Sequence, residues 1–170
     1  SAVETYTELM DQVPTMADIL AESKENAKIT LDNYQMKEGL SDSQKQHILA
    51  MKEEIKVTID SALTTEEVTT IVNGFYNRVD DYVAEMSTAI ANAIEYFESK
   101  ENVSSKAILI VSNYINLVKK TGSMEEISEL IHAFDIEIEE SIDPIEDKPK
   151  NCKNSSIAMF EILAMIALVY

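Results

Sequence analysis

Residues 64–97 read Thr64-Thr-Glu-Glu-Val-Thr-Thr-Ile-Val-Asn-Gly-Phe-Tyr-Asn-Arg-Val-Asp-Asp-Tyr-Val-Ala-Glu-Met-Ser-Thr-Ala-Ile-Ala-Asn-Ala-Ile-Glu-Tyr-Phe97. Val68, Ile71, Val72, Phe75, Val79, Tyr82, Val83, Met86, Ile90, Ala93, Ile94 and Phe97 recur every three or four positions. That period places them on one face of a helix. Thr64 and Glu67 open the run as a capping box, in which each side chain satisfies an amide at the helix start. The pattern persists over about eight turns and predicts a rod of about 50 Å. Gly74 lies inside it and costs about 1 kcal/mol relative to alanine, an amount that so much packing absorbs. A helix this long favours an elongated bundle over a compact ball of short helices.

Working outward, the same period recurs on both sides. Upstream, Ser41 and Gln44 make a second capping box, followed by Ile48, Met51, Ile55, Ile59 and Leu63. Before that, Val3, Tyr6, Met10, Val13, Ala17, Leu20, Ala27, Leu31 and Tyr34 describe a first helix reaching about Lys37. Pro14 interrupts it, because proline lacks an amide hydrogen and clashes with the preceding turn. Gly39 suits a left-handed helix end. Downstream, a fourth helix is expected from near Ser104 to Gly122, with Lys119 and Lys120 against its negative dipole end and Gly122 as its left-handed cap. Ala107 to Val111 is apolar on nearly every side, so this helix is expected at the centre. Ser123 and Glu126 then cap a fifth helix striped by Ile127, Leu130, Ile131, Phe134, Ile138 and Ile142. A sixth segment, from about Ser155 to Tyr170, is apolar except for Glu161. The gaps are two to six residues, apart from the connector 143–154, and short gaps bring neighbouring helices together antiparallel. The expectation is one all-α domain over residues 1–170: an elongated antiparallel bundle of five or six helices. Its third helix is long, and its apolar C-terminal helix is largely buried.

Composition narrows the functional class. The 170 residues carry 31 Asp and Glu against 14 Lys and Arg, a net charge of −17, yet 45% are hydrophobic. Such a chain can hold a core and is no disordered acidic tail. A single cysteine excludes a disulfide scaffold. The negative field repels nucleic acid and anionic membrane surfaces. The charge is distributed, −10 in residues 1–85 and −7 in residues 86–170.

Candidate sites were weighed against ordinary structural roles. Glu129 and His132 have the Glu-x-x-His spacing of carboxylate di-iron bundles, but such a site needs a second copy of the motif. The only other histidine, His47, follows Gln44 rather than a glutamate. Glu125, Glu126 and Glu129, followed by Glu140 and Asp143, have the residue types of the magnesium motif in all-α nucleotide pyrophosphatases. A single unbroken helix would hold Glu129 and Glu140 about 16 Å apart, too far to share an ion. The spaced aspartates and glycine of a Ca²⁺ loop are absent. No catalytic, cofactor-binding or metal-ligating residues are therefore assigned, and no cofactor is expected.

Two regions remain. Asp135, Ile136, Glu137, Glu139, Glu140, Asp143, Glu146 and Asp147 form an acidic stretch with interspersed apolar residues. Phe134, Ile136 and Ile138 alternate there as in a strand, and the carboxylates oppose the helix dipole. The stretch is expected either to fray or to offer a surface to a protein partner with a basic surface. The second region is the C-terminal run, with Met159, Phe160, Leu163, Met165 and Ile166 as its candidate contacts. At about 21 Å it is short for a bilayer, and it lacks the spacer of a lipid-anchor signal. A core helix, a hydrophobic-ligand site or a membrane-active helix would each use it. Cys152, flanked by Lys148, Lys150 and Lys153, reads as an incidental thiol. Asn102 and Asn154 head glycosylation sequons in expected connectors. The chain opens on Ser1 without methionine, which suits either a processed signal peptide or an artificial start. The reading is a non-enzymatic binding protein, extracytoplasmic and soluble, acting through its acidic surface. A carrier of hydrophobic ligands or a membrane-active bundle is the first alternative, and a metal-dependent enzyme is the second.

Overall fold

The computed structural model describes residues 13–142. Among the described residues there are five helices and no strand. They are α1 Met16–Asp32, α2 Asp42–Ser61, α3 Thr65–Glu98, α4 Ala107–Val118 and α5 Met124–Ser141. The all-α bundle with a long third helix is thus the architecture. Ser1 to Gln12, the connector from Asp143 and the apolar run 157–170 lie outside the described residues.

The caps were legible and form with local variations. Ser41 and Gln44 close a full capping box. At α3 and α5 the hydroxyls of Thr64 and Ser123 take the expected amides of Glu67 and Glu126. Their glutamates reach one residue further back, accepting from Leu63 N at 2.6 Å and Gly122 N at 2.7 Å. Pro14 marks the break in the first segment, and Thr15 with Asp18 caps α1 immediately after it.

The helices are shorter than their apolar patterns at several ends. α1 stops at Asp32 rather than near Lys37. Tyr34 leaves the helix to meet Phe75 edge-on at 5.2 Å, and Met36 and Leu40 pack on the same core. Gly39 adopts the left-handed conformation, φ 82°, in the connection and not at the helix end. α4 ends at Val118, so Lys119 caps it and Lys120 lies beyond. The connections 33–41 and 99–106 are longer than expected. Leu63 and Ile142 extend their stripes in sequence but fall outside the helices and are exposed.

α3 organises the rest. Its first part packs with α1 and α2 around Leu31, Ile48, Ile59 and Phe75. Its second part packs with α4 and α5 around Phe97, Val111, Val118 and Phe134. Each such buried side chain contributes about 1.5–3 kcal/mol relative to an exposed one. Tyr82 packs against both clusters. The molecule therefore consists of two three-helix halves threaded on one helix.

A polar waist joins the halves. The Tyr82 hydroxyl donates to Gly122 O at 2.8 Å. The Ser41 hydroxyl donates to Thr121 O at 3.3 Å. His47 stacks on the Tyr82 ring at 4.4 Å. A Cβ on Gly122 would lie 2.8 Å from the Ser43 carbonyl carbon. Gly122 is thus required by close backbone approach and not by a left-handed cap, since Gly39 alone has positive φ among the described glycines. The core face of α4 is Ala107, Ile110, Val111, Tyr114 and Val118, while Ile108 is 56% and Leu109 76% exposed. Among the described helices only α3 and α5 pack against it; the apolar segment 157–170, expected beside it, lies outside the described residues.

Candidate interaction surface

The acidic stretch does not become a strand. α5 continues through Ser141, because Ile127, Leu130, Ile131, Phe134 and Ile138 keep a continuous helical contact with the second core. The alternation at 134–138 resolves once Ile136 is seen to point outward, 47% exposed, between two core residues. Glu137, Glu139 and Glu140 are exposed beside it. Asp143, Glu146 and Asp147 lie outside the described residues.

The surface is anchored from beneath by tyrosines. The Tyr96 hydroxyl on α3 donates to Asp135 Oδ1 at 2.5 Å. Burial, then that hydrogen bond, then the charges of Asp135 and Glu139 push the Tyr96 phenol well above its ordinary range. Tyr114 is also raised, by burial first and then by Glu137. Both rings lean on Phe134 in edge-to-face packing, at 6.0 and 5.3 Å. Such aromatic pairs add about 0.5–1.5 kcal/mol each beyond their buried area. Phe134 is fully buried, so the backbone carrying the carboxylates is held by a rigid cluster. Sequence reasoning missed Tyr96 and Tyr114 as supports. Their partners lie 39 and 23 positions away, beyond the reach of helical periodicity.

Charge compensation is uneven. α5 carries seven carboxylates and no lysine or arginine. None of them makes an ion pair with another described residue. The last turn holds Glu139 and Glu140 and no cation, at the negative end of the helix dipole. Placing a like charge there costs about 0.3–1 kcal/mol at low ionic strength. A cationic partner would relieve that cost on contact.

The other sequence candidates do not assemble. Glu129 and His132 are exposed one turn apart. Among the described residues no three His, Cys, Asp or Glu side chains come together as a metal site. Glu129 and Glu140 share one continuous helix, which keeps them apart as the spacing requires. Met159, Phe160, Leu163, Met165 and Ile166, like Cys152 and Asn154, lie outside the described residues. Two surface depressions are open grooves, one of them formed by Leu117, Leu130, Ala133 and neighbouring polar residues between α4 and α5. Asn102 is exposed in the connection before α4. Among the described residues no helix is long and apolar enough to cross a membrane.

Among the described residues, fold and surface define a class: an all-helical bundle of two three-helix halves that share α3, with an acidic helix on one of them whose carboxylates form no ion pair there. The chain matches no protein-family profile, no curated protein and no solved structure.

Proposed function

We propose that this chain is a non-enzymatic helical-bundle binding protein, which engages a protein partner of basic surface through the outer face of α5. One observation carries the reading. All seven Lys and Arg residues of the first half touch an acceptor within that half, whereas none of the seven carboxylates of α5 pairs with a cation among the described residues. Ile136 adds an apolar contact in the middle of the charged face. A charged rim around an exposed apolar residue suits a protein interface, in which charge steers encounter and fixes register. Nucleic acid and anionic lipid are unsuited partners for such a face. We place the protein in an extracytoplasmic setting, supported by the exposed sequon at Asn102.

Calorimetric titration of the full chain with a lysine-rich peptide tests the reading. A triple Glu137→Gln, Glu139→Gln, Glu140→Gln variant should bind at least about tenfold more weakly, since exposed pairs are worth up to about 1 kcal/mol each. A control with Glu22→Gln, Glu25→Gln and Glu38→Gln has the same net charge and should bind like the parent. Equal weakening of both would trace the binding to overall charge and remove α5 as the interface. For the setting, expression through a secretory pathway should yield a product whose mass falls on deglycosylation. A product without glycan at Asn102 would withdraw that support.

A further inference from the structure

The second half has an apolar end that its own helices leave bare. Ile108 and Leu109 lie in the first turn of α4, 56% and 76% exposed. Val103 and Ile142 are 42% and 45% exposed. The Ser104 and Ser141 hydroxyls meet at 2.8 Å, so the start of α4 and the end of α5 share this end. Leu109 lies off the core face of α4, and among the described helices only α3 and α5 pack on it. Burying a leucine side chain is favourable, so an apolar occupant of this patch would be stabilised by covering it.

We infer that the occupant is this chain's own C-terminal stretch, with residues 157–170 covering Val103, Ile108 and Leu109. Three observations point there. The described chain ends at Ile142, on the bare patch itself. Residues 143–156 then provide up to about 45 Å of extended reach, more than returning across one helix requires. The segment beyond them is apolar at 13 of its 14 positions, Glu161 being the exception. A second copy would leave both complementary segments to find each other between molecules, whereas the tether supplies a high effective concentration within one chain. The inference does not depend on the proposed partner.

Cys152 is the sole cysteine, so a nitroxide attached there reports on the full chain without other changes. In dilute protein, the methyl signals of Ile108, Leu109 and Ile142 should broaden, and those of Ile29 and Val57 in the first half should not. Leu109→Asp, at an exposed position, should leave the fold intact and speed amide exchange across residues 157–170 by about tenfold or more. Leu163→Asp should do the same from the other side of the contact. Methyl signals untouched by the label would overturn the inference. So would broadening that grows with protein concentration, which would identify a second copy. Transfer of the labelled tail into phosphatidylcholine vesicles, with Leu109 unaffected, would identify a bilayer as the occupant and equally overturn it.

Discussion

In the half built by α1, α2 and the first part of α3, every cation is engaged. Lys52 and Lys56 hold Asp32, Lys28 holds Asp60, Lys37 holds Asp80, Lys45 holds Asp42, and Arg78 holds Glu54. Lys24 donates to the Asp60 carbonyl at 2.8 Å. The Asp32 carboxyl is held below its ordinary range, first by its hydrogen bond from Lys56. In the other half Lys100 lies over the Tyr96 ring. None of Lys100, Lys106, Lys119 and Lys120 pairs with a described carboxylate. Aromatic packing takes the place of the ionic rim: Tyr96, Phe97, Tyr114 and Phe134 interlock. The overall charge is spread along the chain, yet among the described residues only the first half pairs its cations with its own carboxylates. Surface pairs contribute little stability, so the difference matters less for holding the fold than for what each half presents to other molecules.

The comparison can be broken most sharply at Phe134. Phe134→Ala should cost about 3–5 kcal/mol, measured by denaturant unfolding. Hydrogen exchange should show the second half loosening first. Equal loosening of the first half would mean that the two cores are one cooperative unit.

Gly122→Ala addresses the waist directly. Its Cβ must displace Ser43 backbone, and overpacking of that kind costs about 1–3 kcal/mol. Protection should fall on both sides of the joint, at Ser41–Lys45 and at Thr121–Ile127. Loss on one side alone would show that the turn does not couple the halves.

Alkaline pH should sharpen the contrast next. The Tyr96 phenol has a higher pKa folded than unfolded. Its contribution is therefore complete below the ordinary tyrosine pKa of about 10 and is lost as pH rises through the folded value. Stability should decline above about pH 10, and Tyr96→Phe should flatten part of that decline. At neutral pH the variant should lose about 0.5–1.5 kcal/mol with its hydrogen bond to Asp135. An unchanged alkaline slope would remove Tyr96 from this role.

The smallest effect should come from charge. Glu140→Lys places a cation in the last turn of α5, one turn after Glu137, and should stabilise by about 0.3–1 kcal/mol at low salt. The gain should vanish in high salt as screening shortens the interaction. Stabilisation that persists there would mean a local packing change instead.

How much of this was legible beforehand depends on distance along the chain. Val68 through Phe97 fall on one face because a helix repeats every 3.6 residues, and every stripe position of α3 does pack into a core. The cap hydroxyls of Ser41, Thr64 and Ser123 were equally readable, since each partner is three residues away. Gly122 was misassigned because a glycine after a helix has two uses. The left-handed cap is visible in sequence, whereas close approach to Ser43 is not. Ile108 and Leu109 are expected inside because an all-apolar turn looks central; the described helices leave them exposed, and the apolar segment 157–170 lies outside the described residues. For the acidic candidate, the residues themselves were identifiable. Their support by Tyr96 and Tyr114 was not, and neither was the absence of an ion pair to them among the described residues.

The sequence by itself determined the helices, their order and the apolar face of each, because periodicity and capping act over three or four residues. It also determined the sign of the net charge. Only the tertiary structure decided that α3 would serve two separate cores and that Tyr82 and Gly122 would join them. It likewise decided that the lysines of one half pair within it, while among the described residues the α5 carboxylates meet no cation. Those outcomes depend on which side chains meet across tens of residues, and no pattern within a single helix contains that information.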